Sequence, residues 1–427
     1  MSERAIVHDV LDPAFLKARL EQVQQQGAGR IADADYEQMY AALDRAEASP
    51  VSGASAADGA QAFLPRSPEL SILQSTLNDC IGSRFDALVK PVPHGVRSWV
   101  DYMLDREGDI FRKFGPCDAG WIESVLSQGI ALFRDRPAFP KTAAPDVQIA
   151  ADARIVVVGD WGTGLAGAQA VGQQMAAKIA QARGQGREVH ALHLGDVYYS
   201  GWKEEYQLRF LPYWPVASAA DGVASWALNG NHDMYSGGHG YFGFLLQDAR
   251  FKAQSRSSRF CLCNEHWQLL GLDSAYEEDD LAGDQGSWVE GKLKGSERRT
   301  MLLTHHQPYT SFNHDFKTPP MVDKLAPAFA VRDVDAWLWG HEHLCCVYDA
   351  GVVPHVGFGS CIGHGGVPVL AIDKVPQGVK WLFQEYEVHE DDDKWQRFGF
   401  AVLDFDGPQL QIAYYDDSGA QVHSETV

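Results

Sequence analysis

Five short apolar runs between residues 154 and 343 each stop at a polar cluster, and this repetition constrains the fold of the 427-residue chain more than any other feature. Arg154-Ile-Val-Val-Val runs into Gly159-Asp160, Val189-His-Ala-Leu-His-Leu into Gly195-Asp196, and Trp226-Ala-Leu into Asn229-Gly-Asn-His-Asp. Further on, Thr300-Met-Leu-Leu-Thr meets His305-His306, and Ala336-Trp-Leu-Trp meets Gly340-His-Glu-His. Apolar runs this short and continuous suit strands buried on both faces. Helical spacing between some of them, as from Ala166 to Ala182, makes the expected core an α/β layered one. In such sheets ligands bind at the carboxyl ends of the strands, where all five polar clusters fall.

Singly, these clusters are ordinary. An aspartate after a strand commonly serves as a turn residue or helix cap, and one His-x-His can be surface decoration. Five such strand ends in one order arise by chance far less often.

The ordered set resembles the calcineurin-like metallophosphoesterases over roughly residues 154 to 348. The matching pieces are Asp160 in GDWG, Asp196 in GDVYY, Asn231-His232-Asp233 in GNHD, His305-His306 before Pro308, and His341 and His343 in GHEH. The resemblance implies an enzyme, a phosphoric ester hydrolase, that attacks a phosphomonoester or phosphodiester with a hydroxide held by a binuclear centre. By the same resemblance Asp196 bridges the ions, Asp160 and His343 hold the first, and Asn231 and His341 hold the second. The two GHEH histidines can be exchanged in this assignment. Either His305 or His306 completes the set: the His-x-Pro spacing selects His306, whereas counting from the strand end selects His305. His232 corresponds to the family histidine beside the phosphate, with Asp233 expected to orient it.

The first motif narrows the resemblance. Many relatives carry a histidine two residues after the first aspartate, and here that residue is Gly162. Tyr199, three residues after Asp196, has the spacing of the phenolate ligand in purple acid phosphatases, and a phenolate favours ferric iron. The implied cofactor is two metal ions, Fe paired with Fe, Mn or Zn. The alternative for Tyr199 is packing beneath the site. Trp161, Trp202 and Tyr235 are candidates to frame the cleft, and Gly357–Gly366 is either a pocket wall or a tight turn.

The expected fold is a four-layer α/β sandwich, two mixed β-sheets flanked by helices, over residues 150–427. A mostly helical accessory domain over residues 1–145 precedes it, on the strength of amphipathic spacing such as Tyr36-Glu-Gln-Met-Tyr-Ala-Ala-Leu. A hairpin from Phe398 through Tyr415 is expected to complete the second sheet. Asp and Glu number 57 against 36 Lys and Arg, a net charge of −21, so a nucleic-acid partner is disfavoured and a small phosphorylated substrate favoured. Seven scattered cysteines without a CxxC spacing, and no signal peptide or membrane span, make the expected location cytoplasmic. The rival functions are a nuclease built on the same centre and a scaffold with a vestigial metal site.

Overall fold

The computed structural model describes residues 136–427 apart from 199, 314–315 and 389–393, together with the single positions 21 and 40. The expected helical domain lies outside the described residues, except for positions 136–145. Those form an irregular segment that packs against the later chain. Its Pro137 carbonyl accepts from Tyr276 Oη at 3.0 Å, and its Lys141 carbonyl accepts from the buried Arg259 guanidinium at 3.0 Å.

Two sheets carry the architecture. The larger has eight strands in the order β1-β5-β6-β7-β8-β10-β9-β11. Its members are β1 (Val147–Gln148), β5 (Phe260–Cys263), β6 (Trp267–Gly271), β7 (Arg299–Leu303), β8 (Val334–Trp339), β9 (Cys345–Tyr348), β10 (Val356–Ile362) and β11 (Val379–Leu382). The smaller has six in the order β16-β15-β14-β2-β3-β4. These are β2 (Arg154–Val158), β3 (Val189–His193), β4 (Ala224–Ala227), β14 (Gly399–Asp406), β15 (Gln409–Asp416) and β16 (Gln421–Thr426). Both sheets mix parallel and antiparallel pairs. A two-stranded ribbon, β12 (Tyr386–Val388) with β13 (Lys394–Gln396), stands apart.

The unbroken apolar runs explain the layering, because alternate residues of one strand feed two different cores. Ile155 and Val157 of β2 face the core between the sheets, while Val156 and Val158 face the outer core of the smaller sheet. In β8, Ala336 and Leu338 point inward, and Trp337 and Trp339 point to the outer core of the larger sheet. Each outer face needs a cover. Helix α1 (Ala166–Gly184) buries Val171, Met175, Ile179 and Ala182 at helical spacing in the outer core of the smaller sheet. Helices α3 (Gln285–Lys294) and α4 (Pro320–Phe329) cover the other with Val289, Leu293, Met321 and Leu325. At roughly 1.5–3 kcal/mol per fully buried side chain, these stripes supply much of the drive for layering. The expected sandwich of helix, sheet, sheet and helix is the fold of this chain, and the β14–β15 hairpin completes the smaller sheet beside β2.

The sheet begins before residue 150, since β1 pairs with β5 and the Ala144 amide donates to the Arg259 carbonyl. A chain starting at residue 136 keeps this pairing and should bind the same metal as the full-length protein. A start at residue 150 removes an edge strand, and its melting temperature should fall by several degrees. Calorimetry and metal analysis of both truncations check this, and equal melting of the two would contradict it.

Candidate metal centre

Backbone geometry brings the strand-end side chains together. Asp160 follows β2 and Asp196 follows β3, at φ of 54° and 77°, while His341 and His343 follow β8 at 68° and 51°. A left-handed conformation is unfavourable for any residue with a Cβ. Four such residues at strand ends of the two sheets place the strain where side chains must turn inward, as strained functional sites do. Close approach also requires glycine. A Cβ on Gly230 would sit 2.1 Å from Asp196 Oδ1, and one on Gly340 would sit 2.6 Å from Asp160 Oδ2.

Asp160 and Asp196 are wholly buried. Asp160 Oδ2 accepts from the His341 amide at 2.8 Å, and Asp196 Oδ1 accepts from the His232 amide at 3.0 Å. Tyr198 Oη lies between the two carboxylates, 3.2 Å from Asp160 Oδ1 and 3.0 Å from Asp196 Oδ2, and 2.9 Å from His343 Nε2. His343 Nε2 is 3.5 Å from Asp160 Oδ1. A second group of donors adjoins the first across Asp196. Asn231 opens the short helix α2 (Asn231–Tyr235), and its Nδ2 donates to Tyr235 Oη at 2.7 Å. That leaves Asn231 Oδ1 facing His305 Nε2 at 3.0 Å and His341 Nδ1 at 3.1 Å. His305 Nε2 is also 3.2 Å from His341 Nδ1 and 3.4 Å from Asp196 Oδ2.

These contacts fit a cation. Among the described residues no lysine or arginine forms an ion pair with Asp160 or Asp196, and the charged partners of the two buried carboxylates are imidazoles. Burial drives the Asp160 carboxyl well above its usual range, with Asp196 beside it adding to the effect. Burial also pushes the Tyr198 hydroxyl up, again with both carboxylates contributing. Burial depresses His306 and His343 to about 3 and His341 well below its ordinary value, so these rings are neutral and hold free lone pairs. His305 differs: burial opposes its charge, but Asp196 and Asp160 hold it up at about 9. Each carboxylate would be relieved by a multivalent cation, which is the response expected of ligands.

Both adjacent histidines reach the centre, with ligand atoms of His305, His306 and His341 within 4.8 Å of one another, but their other partners differ. His305 Nδ1 contacts the Leu194 carbonyl at 3.0 Å, which turns Nε2 toward Asn231 and Asp196. A backbone carbonyl on the far ring nitrogen is the usual support of a ligating imidazole. His306 instead pairs Nδ1 with Ser274 Oγ at 3.1 Å and directs Nε2 to Asp279 Oδ1 at 3.5 Å. It still touches the group, its ring 4.6 Å from that of His341.

His232 is buried between two phenol rings, with centroids 4.5 Å from Tyr198 and 4.6 Å from Tyr235, and its Nε2 is 4.0 Å from Asp196 Oδ2. Asp233, expected to orient that ring, is committed elsewhere. Its Oδ2 accepts from the Gly230 amide at 2.7 Å and the Asp196 amide at 2.9 Å, and its Oδ1 accepts from Tyr206 Oη. It therefore ties the GDVYY and GNHD loops together. Burial and the nearby Asp196 raise its carboxyl to about 7.

Tyr199 lies outside the described residues. Its neighbour Tyr198, which the sequence reading did not single out, has its Oη beside both carboxylates and His343. Trp161 does not frame the cleft: it is core, stacked edge-on to Phe210 and Trp214, with its indole N–H on the Ala168 carbonyl. Tyr235 does reach the centre through Asn231. The glycine segment after β10 closes over the first motif, where the Gly365 amide donates to the Gly159 carbonyl at 3.1 Å.

Residues 153–345 match the family model for calcineurin-like phosphoesterases. Human tartrate-resistant acid phosphatase type 5 is 24% identical over 331 residues, covering 70% of this chain and 95% of that protein. Among solved structures, GAP50, the anchor in the inner membrane complex of Plasmodium, matches with a TM-score of 0.46 at 11% identity, over 65% of this chain and 88% of that one. A cold-active protein-tyrosine phosphatase of a psychrophilic Shewanella matches with a TM-score of 0.31 at 13% identity, over 68% of this chain and 88% of its own.

Proposed function

Given that the chain belongs to the calcineurin-like phosphoesterases through residues 153–345, and so is a phosphoric ester hydrolase, we propose that its centre is binuclear. The convergence of Asp160, Asp196, Tyr198 and His343 on one side, and Asn231, His305 and His341 on the other, carries this reading. Asp196 is the one side chain that both groups share, with Tyr198 and His305 on the same Oδ2 oxygen. The first group would hold one ion and the second the other, with Asp196 between them. When bound, such a pair neutralises phosphoryl charge and lowers the pKa of a coordinated water. The donors are hard oxygens and imidazoles, which suit Fe, Mn or Zn, and a phenolate in the first group favours ferric iron.

The chain's own residues do the remaining work. His232, held between Tyr198 and Tyr235, faces the centre as the proton donor for the leaving oxygen or as a partner for a phosphoryl oxygen. The loop tie at Asp233 keeps Asp196 and His232 in register. His306 and Asp279 line the adjoining wall, where substrate groups beyond the phosphate would lie. The substrate is a small phosphomonoester or phosphodiester. The acid phosphatase named among the relatives supports the phosphatase side of this choice. No described helix is long and apolar enough to cross a membrane. The five described cysteines are unpaired, which supports the cytoplasmic location.

Metal analysis of the purified protein, paired with rates on p-nitrophenyl phosphate and its bis-ester, tests the reading. Two metal equivalents with turnover of either ester are expected, and a single equivalent would refute the binuclear centre. His232→Ala should keep both ions and lose about 10²–10⁴-fold in kcat. Metal loss in that variant, or an unchanged kcat, would remove His232 from the catalytic role.

A further inference from the structure

A different set of side chains gathers on the outer face of the larger sheet. Cys261 and Cys263 alternate along β5, so both point to the same face, beneath α3. The parallel register places Gln148 opposite Cys263, and Asp146 precedes Val147, which lies opposite Leu262. Four side chains from two neighbouring strands therefore share one face. The two sulfurs and an Asp146 oxygen all lie within 4.8 Å of one another.

We propose that Cys261, Cys263 and Asp146 form a second metal site, for a soft divalent cation of the Zn²⁺ class, separate from the phosphoesterase centre. The donor chemistry differs from that of the first centre. Thiolates select soft or borderline cations, whereas the first centre has only oxygen and nitrogen donors. Three protein ligands leave a fourth tetrahedral position for water. The surroundings favour thiolate. Gln148 Nε2 donates to Cys263 Sγ at 3.0 Å. Metal binding would release the thiol protons to solvent. Lys292 of α3 holds the Asp146 carboxylate, and this secures it as partners of ligating carboxylates do, since one oxygen can stay on the ammonium while the other turns to the ion.

Topology keeps the two sites apart. Cys263 is level with Gln268 of β6, which is level with Thr300 at the start of β7, and His305 lies past the other end of that strand. The cysteines are also two strands across, about 10 Å, and face the outer core rather than the inter-sheet edge. An ion there would clip edge strand β1 to β5, the first pairing of the sheet.

Titration of the full chain with Cd²⁺, followed by the ultraviolet sulfur-to-cadmium charge-transfer band, detects thiolate ligation, and the cysteine variants assign the band to this site. The band should grow to saturation in the wild type and vanish in Cys261→Ser/Cys263→Ser. Asp146→Asn, at a half-exposed position that leaves the core intact, should keep the band and weaken binding about tenfold. No band at saturating Cd²⁺, or an undiminished band in the double variant, overturns the proposal. Should the double variant fail to fold, an unchanged Cd²⁺ affinity in Asp146→Asn overturns it equally.

Discussion

Asp196→Asn should strip the phosphoesterase centre of its metal and lower the phosphoesterase rate by on the order of 10³-fold or more, equivalent to about 4 kcal/mol of transition-state stabilisation. The size of the effect follows from position. Asp196 is wholly buried, its Oδ1 receives the His232 amide, and its Oδ2 meets Tyr198, His305 and His232 within 4.0 Å. Asparagine keeps the shape, so the amide hydrogen bond to the loop can survive, but the charge shared by both donor groups is gone. Metal content by elemental analysis and rate on p-nitrophenyl phosphate are read on the same sample. Two equivalents of metal with a near wild-type rate would end the shared-ligand assignment. The fold should persist, because burial of the uncharged side chain is less costly than burial of an unpaired carboxylate.

The second large effect concerns the tandem tyrosines. In protein expressed with iron available, a phenolate on ferric iron should give a visible charge-transfer band, and Tyr198→Phe should abolish it. Activity should fall by roughly 10–100-fold, the range found when a metal site loses supporting oxygen contacts. Tyr198 Oη stands at 2.9–3.2 Å from His343, Asp196 and Asp160, so the substitution removes one atom from the middle of the first donor group. The ring itself stays packed with Leu165 and Val367. Tyr199→Phe is the paired measurement. If Tyr199→Phe loses the band while Tyr198→Phe keeps it, the phenolate belongs to Tyr199 and the assignment to Tyr198 fails. If iron-loaded wild type is colourless and Tyr198→Phe turns over normally, the centre has no phenolate ligand. The Asn231, His305 and His341 side chains would still support a two-ion reading in that case.

These experiments fall where sequence and structure part. The amino-acid sequence by itself determined the layered core and the edge that carries the site. Apolar runs such as Arg154–Val158 can satisfy both faces only between two packed layers, and the strand-ending clusters then collect at one edge. Asp160, Asp196, Asn231, His341 and His343 were legible for that reason, because each falls in the polar cluster at which its strand ends. Tertiary structure decided what lies within a residue or two of them. At Asp196 the chain turns with φ of 77°, which breaks the alternation used to count side-chain direction, and the Tyr198 hydroxyl meets the carboxylates. The partners that orient His305 and His306 come from elsewhere in the chain, a carbonyl at Leu194 for the first and Ser274 and Asp279 in a distant loop for the second. Asp233 likewise serves two backbone amides and Tyr206, partners supplied by the packing of separate loops. Periodicity encodes which face a residue takes inside a regular element. Past its end, direction depends on backbone turns and on groups far along the chain, and only the folded arrangement supplies those.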